Sequence, residues 1–123
     1  MTAPSPNDRY TYAVQLVRII DGDTVVLDID LGCKMWLKDE HCRLSGINTP
    51  ELHGEEREEG YRSLAGLQYL IDGKEILIRM SKDKRTLKDK KGKFGRWLVE
   101  LWVDGRSVND QLVDGGYAEI YEG

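Results

Sequence analysis

The chain has 123 residues, of which 40% are hydrophobic and 33% are charged. This is the length of one ordinary domain, and the composition is typical of a folded protein. No apolar run approaches the roughly 20 residues needed to cross a bilayer, so we expect no membrane partner. The N-terminal segment lacks the basic and apolar regions of a secretory signal. We therefore expect a disordered lead over residues 1–9, a single domain over residues 10–123, an intracellular location and a monomer.

The net charge of −4 is distributed unevenly along the sequence. Residues 82–96 contain eight Lys or Arg and two Asp, whereas residues 39–59 contain seven acidic residues and two Arg. A nucleic-acid backbone favours a basic surface, and the segment 82–96 would provide one. The net charge therefore does not exclude a DNA or RNA partner, although a basic run alone equally fits a solvated hairpin loop.

The two cysteines, Cys33 and Cys42, lie near a predicted connection between two strands. A bridge between them is sterically conceivable, but two reduced, packed thiols are the interpretation we favour for an intracellular chain. Zinc sites usually have four ligands, and His41 and His53 do not complete a recognisable zinc spacing with the cysteines. We therefore expect no zinc site.

Periodicity along the chain predicts a β-rich α+β domain. Residues 25–31 alternate between apolar and mostly polar residues, which predicts a half-buried strand. Segments rich in apolar residues predict further strands over residues 10–20 and 35–47, the latter with a polar interruption at 38–41, and then over 75–80, 97–103 and 117–121. Apolar residues spaced by three and four predict a helix over 55–71, and Ser107 is a candidate N-cap for a second helix ending at Val113. Five main strands with a helix between the third and fourth indicate an OB-fold barrel with two packed helices. Tyr69, Trp97 and Trp102 are interpreted as core or core-edge aromatics.

The run Asp21-Gly22-Asp23-Thr24 lies between the first two predicted strands. Two carboxylates separated by one residue can reach one hard cation from a tight turn, with Gly22 providing backbone freedom. An Asp-Gly pair also fits an ordinary β-turn, which accounts for Gly22 and one Asp but not for the second.

A second group of polar residues follows the third strand. Arg43 offers a planar fork that can bind phosphate oxygens. Asn48 and Thr49 offer neutral oxygens to a cation, and Glu51 can accept a proton from water. A strand end with surface charges would show the same residues.

A third group, Phe94-Gly95-Arg96, stands where the fifth main strand begins. Phe94 can stack on a base or ribose, which favours sequence-tolerant binding, and Arg96 is a candidate second phosphate ligand. An exposed aromatic and a solvated Arg are the alternative interpretation.

Taken together, these groups resemble the staphylococcal-nuclease-like (thermonuclease) family in their order and spacing. The resemblance covers about residues 12 to 121, and the matching residues are Ile20 to Val25, Arg43 and Leu44, Ile47 to Glu51, Phe94 to Arg96, Gly105, Val108 and Asn109, and Leu112 and Val113.

The resemblance implies an OB-fold nuclease that acts on DNA and RNA with calcium, or another divalent metal, and leaves 3′-phosphate and 5′-hydroxyl ends. It implies that Asp23, Asn48 and the carbonyl of Thr49 bind the metal and that Asp21 acts on it through water. Arg43, Glu51 and Arg96 would be catalytic: Glu51 would position or deprotonate the attacking water, and the arginines would stabilise the five-coordinate phosphorus. Lys93, Phe94 and Tyr121 are candidates for substrate binding.

Two departures from the family pattern matter. The position of Asn48 is commonly Asp, so the site has one negative charge fewer, and we expect weaker calcium binding or a wider choice of metals. The type member continues into a further helix beyond the position of Gly123, so we expect this core to close without that helix or with a partner. Two alternatives to an active nuclease stay open: a catalytically silent OB-fold module that binds nucleic acid or protein, and a structural assembly component of a phage or mobile element.

Overall fold

The computed structural model describes residues 9–85 and 96–121. Most of the expected N-terminal lead, and both Lys93 and Phe94, lie outside these residues. Within them, the elements in chain order are β1 (Thr11–Asp21), β2 (Thr24–Gly32), β3 (Met35–Leu44), β4 (Ile47–Asn48), a 3₁₀ turn (Gly54–Glu56), α1 (Arg57–Ile71), β5 (Ile76–Arg85), β6 (Trp97–Val103), β7 (Arg106–Ser107), α2 (Val108–Asp114) and β8 (Glu119–Ile120).

The five long strands form a closed mixed barrel. Their order is β3-β2-β1-β5-β6, and every neighbouring pair in that order is antiparallel. The barrel closes where β3 and β6 pair in parallel, with Cys42 opposite Trp97 and Leu44 opposite Val99. The predicted five-stranded OB-fold barrel with two helices is therefore confirmed. The short strands β4 and β8 pair with each other in a separate two-stranded sheet.

The core lies inside the barrel and under the two helices. Strand β2 is buried along most of its length, and its residues Val25, Leu27 and Ile29 belong to the core. Helix α1 covers one end of the barrel with Leu67 and Ile71, and α2 covers it with Val108 and Leu112. The packing of these apolar side chains holds in place the ends of β1, β3 and β6, where the polar motifs lie.

The predicted helix over 55–71 is confirmed, but its buried face differs in part from the expected one. Leu67 and Ile71 are buried as predicted, together with Gly60 and Ser63. Tyr69 is 84% exposed, so its assignment to the core edge is wrong. Residues two positions apart point to nearly opposite sides of a helix, and Leu67 faces the barrel.

The predicted polar interruption of β3 is a bulge within a continuous strand. Two residues of β3, Lys38 and Asp39, lie opposite Asp28, and Asp39 has a positive φ of 55°. The backbone N–H of Asp39 donates to Asp28 Oδ1 at 2.9 Å, and Lys38 Nζ lies 3.4 Å from Asp28 Oδ2. Asp28 thus satisfies the bulge while β3 continues towards Arg43.

Both cysteines are free thiols, which confirms the reduced state. Cys42 is packed in the core, where burial and the charge of Glu40 raise the pKa of its thiol to about 12. Cys33 is exposed at the β2–β3 turn, so the prediction that both thiols are packed is wrong for Cys33. In the described part of the chain, no helix is long and apolar enough to span a membrane.

Candidate active site

The turn between β1 and β2 directs two carboxylates into one place. Asp21 Oδ1 accepts a hydrogen bond from the backbone N–H of Asp23 at 3.0 Å, which closes the turn. Asp23 is buried, and its Oδ1 accepts from Thr24 Oγ1 at 3.1 Å. Its Oδ2 accepts from the backbone N–H of Thr49 at 3.2 Å. A plain β-turn would leave both side chains in solvent, whereas here Asp23 joins the β1–β2 turn to the segment that follows β4.

Burial and the neighbouring Asp23 carboxylate raise the pKa of Asp21. Its pKa is raised from 3.8 to about 7, first because burial disfavours the charged form and then because Asp23 lies beside it. A cation placed between two such carboxylates would favour their charged forms. The pair therefore has the character of a cation site.

Gly22 is required by close packing and not by an unusual backbone angle. Its φ is outside the positive range, so the predicted need for backbone freedom is wrong. A Cβ at this position would lie 2.8 Å from Ser63 Cβ and 3.0 Å from Thr49 Oγ1. Glycine therefore lets the turn pack directly against α1 and Thr49.

Arg43, at the end of β3, is held by several oxygen atoms. Its Nη1 donates to the carbonyl oxygens of Leu44 at 2.9 Å and Ile47 at 3.0 Å. Its Nη2 donates to Asn48 Oδ1 at 3.3 Å and lies 3.7 Å from Asp23 Oδ2. The structure thus brings Arg43 together with two of the predicted metal ligands.

The C-terminal strand β8 places Tyr121 beside this guanidinium. Ile47 pairs with Ile120 in the β4–β8 ladder, and the backbone N–H of Tyr121 donates to the carbonyl of Gly46 at 2.9 Å. The Tyr121 ring lies 5.5 Å from the Cζ atom of Arg43. This distance is within the range of cation–π attraction. Tyr121 is therefore at the site, and a substrate-binding role for it stays a prediction.

The second arginine, Arg96, directly precedes β6 and is linked to Asp23 through Thr24. Arg96 Nη1 donates to Thr24 Oγ1 at 3.2 Å, and this hydroxyl in turn donates to Asp23 Oδ1. In the ladders around the barrel, Arg43 lies opposite both Thr24 and Leu98. Closure of the barrel thus places Arg43 and Arg96 on two sides of Asp23.

Glu51 lies in the loop between β4 and the 3₁₀ turn, and its side chain is exposed. Its backbone N–H donates to Glu56 Oε2 at 3.0 Å. The backbone of α1 at Gly60 packs so closely against the Glu51 carbonyl that a Cβ there would be 2.1 Å from its oxygen. The loop is fixed through its backbone, and the role of the Glu51 carboxylate stays a prediction.

Asn109 is a site-supporting residue to which the sequence analysis assigned no role. It is 4% exposed, and its Nδ2 donates to the carbonyl oxygens of Ser45 at 2.9 Å and Val99 at 3.3 Å. Its Oδ1 accepts from the backbone N–H of Leu101 at 3.1 Å. In the sequence, the available signal for this role was a polar side chain two residues after Ser107, which the structure confirms as an N-cap. Asn109 fastens the start of the Ser45–Thr49 segment to β6.

The donor atoms at the site suit a hard cation. Within residues 9–85 and 96–121, no group of three or more His, Cys, Asp or Glu side chains is placed to hold a metal ion. The predicted ligands are instead the Asp23 carboxylate, the amide oxygen of Asn48 and the carbonyl of Thr49, with Asp21 acting through water. Calcium accepts such all-oxygen sets, and few charged ligands weaken its binding. The chemistry of these donor atoms therefore suits calcium.

Comparisons with known proteins identify the family of this chain. The family described as "Staphylococcal nuclease homologue" matches residues 41–123. A thermonuclease of Staphylococcus hyicus is 28% identical over 117 residues, covering 88% of this chain and 57% of that protein. An uncharacterised protein of Methanocaldococcus jannaschii is 27% identical over 129 residues, covering 89% of this chain and 59% of that protein. The chain thus spans less than two thirds of the length of these relatives. It belongs to the staphylococcal nuclease homologue family.

Proposed function

We propose that this chain is a calcium-dependent nuclease that hydrolyses phosphodiester bonds of DNA and RNA and leaves 3′-phosphate and 5′-hydroxyl ends. The observation that carries the proposal is the connected set of contacts around Asp23. Thr24 links its Oδ1 to Arg96, while Thr49 and Arg43 approach its Oδ2. Two carboxylates and two guanidiniums thus converge at one place, where the carboxylates would neutralise a cation and the guanidiniums a phosphate.

In this proposal, the carboxylates of Asp21 and Asp23, with oxygens of Asn48 and Thr49, hold the cation. Calcium, when bound, supplies positive charge to the phosphate oxygens. Arg43 and Arg96 provide further positive charge from either side. The two positive charges favour the extra negative charge that develops when the phosphorus becomes five-coordinate.

Glu51 is the proposed proton acceptor. The oxygen of a water molecule forms a bond to phosphorus while the water gives a proton to the Glu51 carboxylate. The bond between phosphorus and the 5′ oxygen then breaks, and the 5′ oxygen leaves as a hydroxyl after taking up a proton. The phosphate stays on the 3′ side.

The proposal is tested by incubating purified protein with single-stranded DNA and calcium, with and without a chelator. We expect cleavage that the chelator abolishes and that Glu51→Gln or Arg96→Gln lowers by at least about 100-fold. Arg57→Gln is the matched control, because Arg57 is exposed and contacts the Tyr61 ring at 5.8 Å. New ends that polynucleotide kinase phosphorylates directly identify 5′-hydroxyls. Cleavage that is equal in wild type and Glu51→Gln would contradict the proposal.

A catalytically silent nucleic-acid-binding module is the second candidate. It is favoured by the neutral Asn48 at the site, because a site with fewer charges binds calcium less tightly. Binding of single-stranded DNA that calcium does not affect, with no cleavage in any divalent metal, would select this function over hydrolysis.

A further inference from the structure

Four protein oxygen atoms surround the guanidinium of Arg43. A guanidinium has five N–H donors, of which four belong to Nη1 and Nη2. Nη1 bonds to two carbonyls, and Nη2 bonds to Asn48 Oδ1 at 3.3 Å and faces Asp23 Oδ2 at 3.7 Å. The side chain is only 13% exposed. Its fork is therefore directed at the protein in this arrangement.

Two of these oxygens are the ones that the proposed function gives to the cation. Calcium lies about 2.3–2.6 Å from its ligand oxygens, so an ion bound to both would lie within about 6 Å of Arg43 Nη2. Positive charges at that separation in a partly buried site repel each other. The lone pairs of Asn48 and Asp23 that point at Nη2 would also have to turn towards the ion.

We propose that Arg43 is a built-in competitor of calcium, whose Nη2 must leave Asn48 and Asp23 when the ion binds. This inference rests on the proposed cation site. The bonds of Nη1 to Leu44 and Ile47 involve neither of the two side chains, so they can persist during the exchange. Arg43 thus lowers the affinity of the free protein for calcium.

Asn48 keeps the contact of Arg43 weak enough for calcium to displace it. Its amide oxygen is neutral, so its hydrogen bond to Nη2 is weaker than an ion pair with a carboxylate would be. Only Asp23 then holds Nη2 by charge, and it does so at 3.7 Å, beyond hydrogen-bond distance. An arriving divalent ion can therefore displace the guanidinium from both oxygens.

The test is calorimetric titration of calcium into the protein without nucleic acid. We expect Arg43→Gln, which removes the charge, to bind calcium at least about tenfold more tightly than wild type. Arg43→Lys keeps the charge and should stay within about threefold of wild type. Arg57→Gln, the exposed control, should bind as wild type does. Circular dichroism and urea unfolding establish that each variant is folded.

An Arg43→Gln protein that is folded and binds calcium no more tightly than wild type overturns the inference. If this variant does not fold, side-chain NMR of arginines in the wild-type protein decides instead. Calcium should shift the guanidinium signals of Arg43 and leave those of Arg57 unchanged, and an unshifted Arg43 overturns the inference. Absence of calcium binding in every variant contradicts the proposed cofactor as well, whereas equal affinities contradict the competition alone.

Discussion

Gly60 lies on the buried side of α1, directly against the loop that carries Glu51. A Cβ at Gly60 would be 2.1 Å from the Glu51 carbonyl oxygen and 2.7 Å from its carbon. Carbon and oxygen atoms approach each other to about 3.3 Å, so Gly60→Ala would move this carbonyl by roughly 1 Å or more. The obstacle is backbone, which cannot move aside by changing a rotamer.

The stability effect has two opposing parts. Alanine is favoured over glycine inside a helix by about 1 kcal/mol. Overpacking of a tight contact costs about 1–3 kcal/mol, and the contact here is severe enough to place the cost at the upper end. We therefore expect Gly60→Ala to lower the free energy of unfolding by about 1–2 kcal/mol and the melting temperature by about 3–10 °C.

The effect on activity should be larger than the effect on stability. A displacement of about 1 Å in a catalytic group costs about 100-fold in rate. Because Arg43, Arg96 and the Asp21–Asp23 turn lie on other elements, we expect kcat to fall by about this factor while KM changes little. Glu59→Ala, at the exposed neighbouring position, is the control for helix propensity. A Gly60→Ala protein that is as stable and as active as wild type would refute the reasoning.

Four further predictions concern the cation site and its support. Asn48→Asp should bind calcium about tenfold more tightly because it restores a negative ligand, and equal affinities in calorimetry would contradict this. The pKa of Asp21 is raised to about 7, so protons compete with calcium below pH 7; calcium affinity measured from pH 5 to 8 should rise up to about pH 7 and then level off. Without calcium, the raised pKa of Asp21 stabilises the folded state below its unfolded pKa near 4, and this stabilisation is lost as the pH rises through about 7. In unfolding experiments, Asp21→Asn should therefore lose less stability than wild type over this pH range. An unchanged pH profile would count against the shift. Asn109→Ala leaves the N–H of Leu101 and the carbonyl of Ser45 without this partner and should cost about 3 kcal/mol in urea unfolding, whereas the exposed neighbour Asp110→Ala should cost much less.

The sequence was most informative where one local rule decided the structure. Alternation of apolar residues located β2, and high apolar content located β1 and β6. Ser107 was identified as an N-cap from its residue type and its position before an apolar segment. As predicted, its side chain accepts a hydrogen bond from the backbone N–H of Asp110. The order of elements then indicated the barrel, since few topologies combine five strands with a helix after the third.

The features that the sequence did not predict depend on contacts between distant segments. The need for glycine at position 22 comes from Ser63 and Thr49, which no local rule brings near the turn. The exposure of Tyr69 depends on which side of α1 meets the barrel. The contacts of Arg43 with Asn48 and Asp23 likewise require β3, β4 and the β1–β2 turn to meet, which only the closed barrel provides.

The parallel pairing of β3 and β6 has a consequence for the synthesis of the protein. It joins residues about 55 positions apart, such as Cys42 and Trp97, and pairings at this separation form late because a long loop must close. Arg43 and Arg96 stand on opposite sides of this seam, so a chain that has left the ribosome only as far as β5 has the acidic turn but lacks its second guanidinium. In the proposed function, the site is therefore incomplete until Arg96 has been translated and β6 has paired with β3.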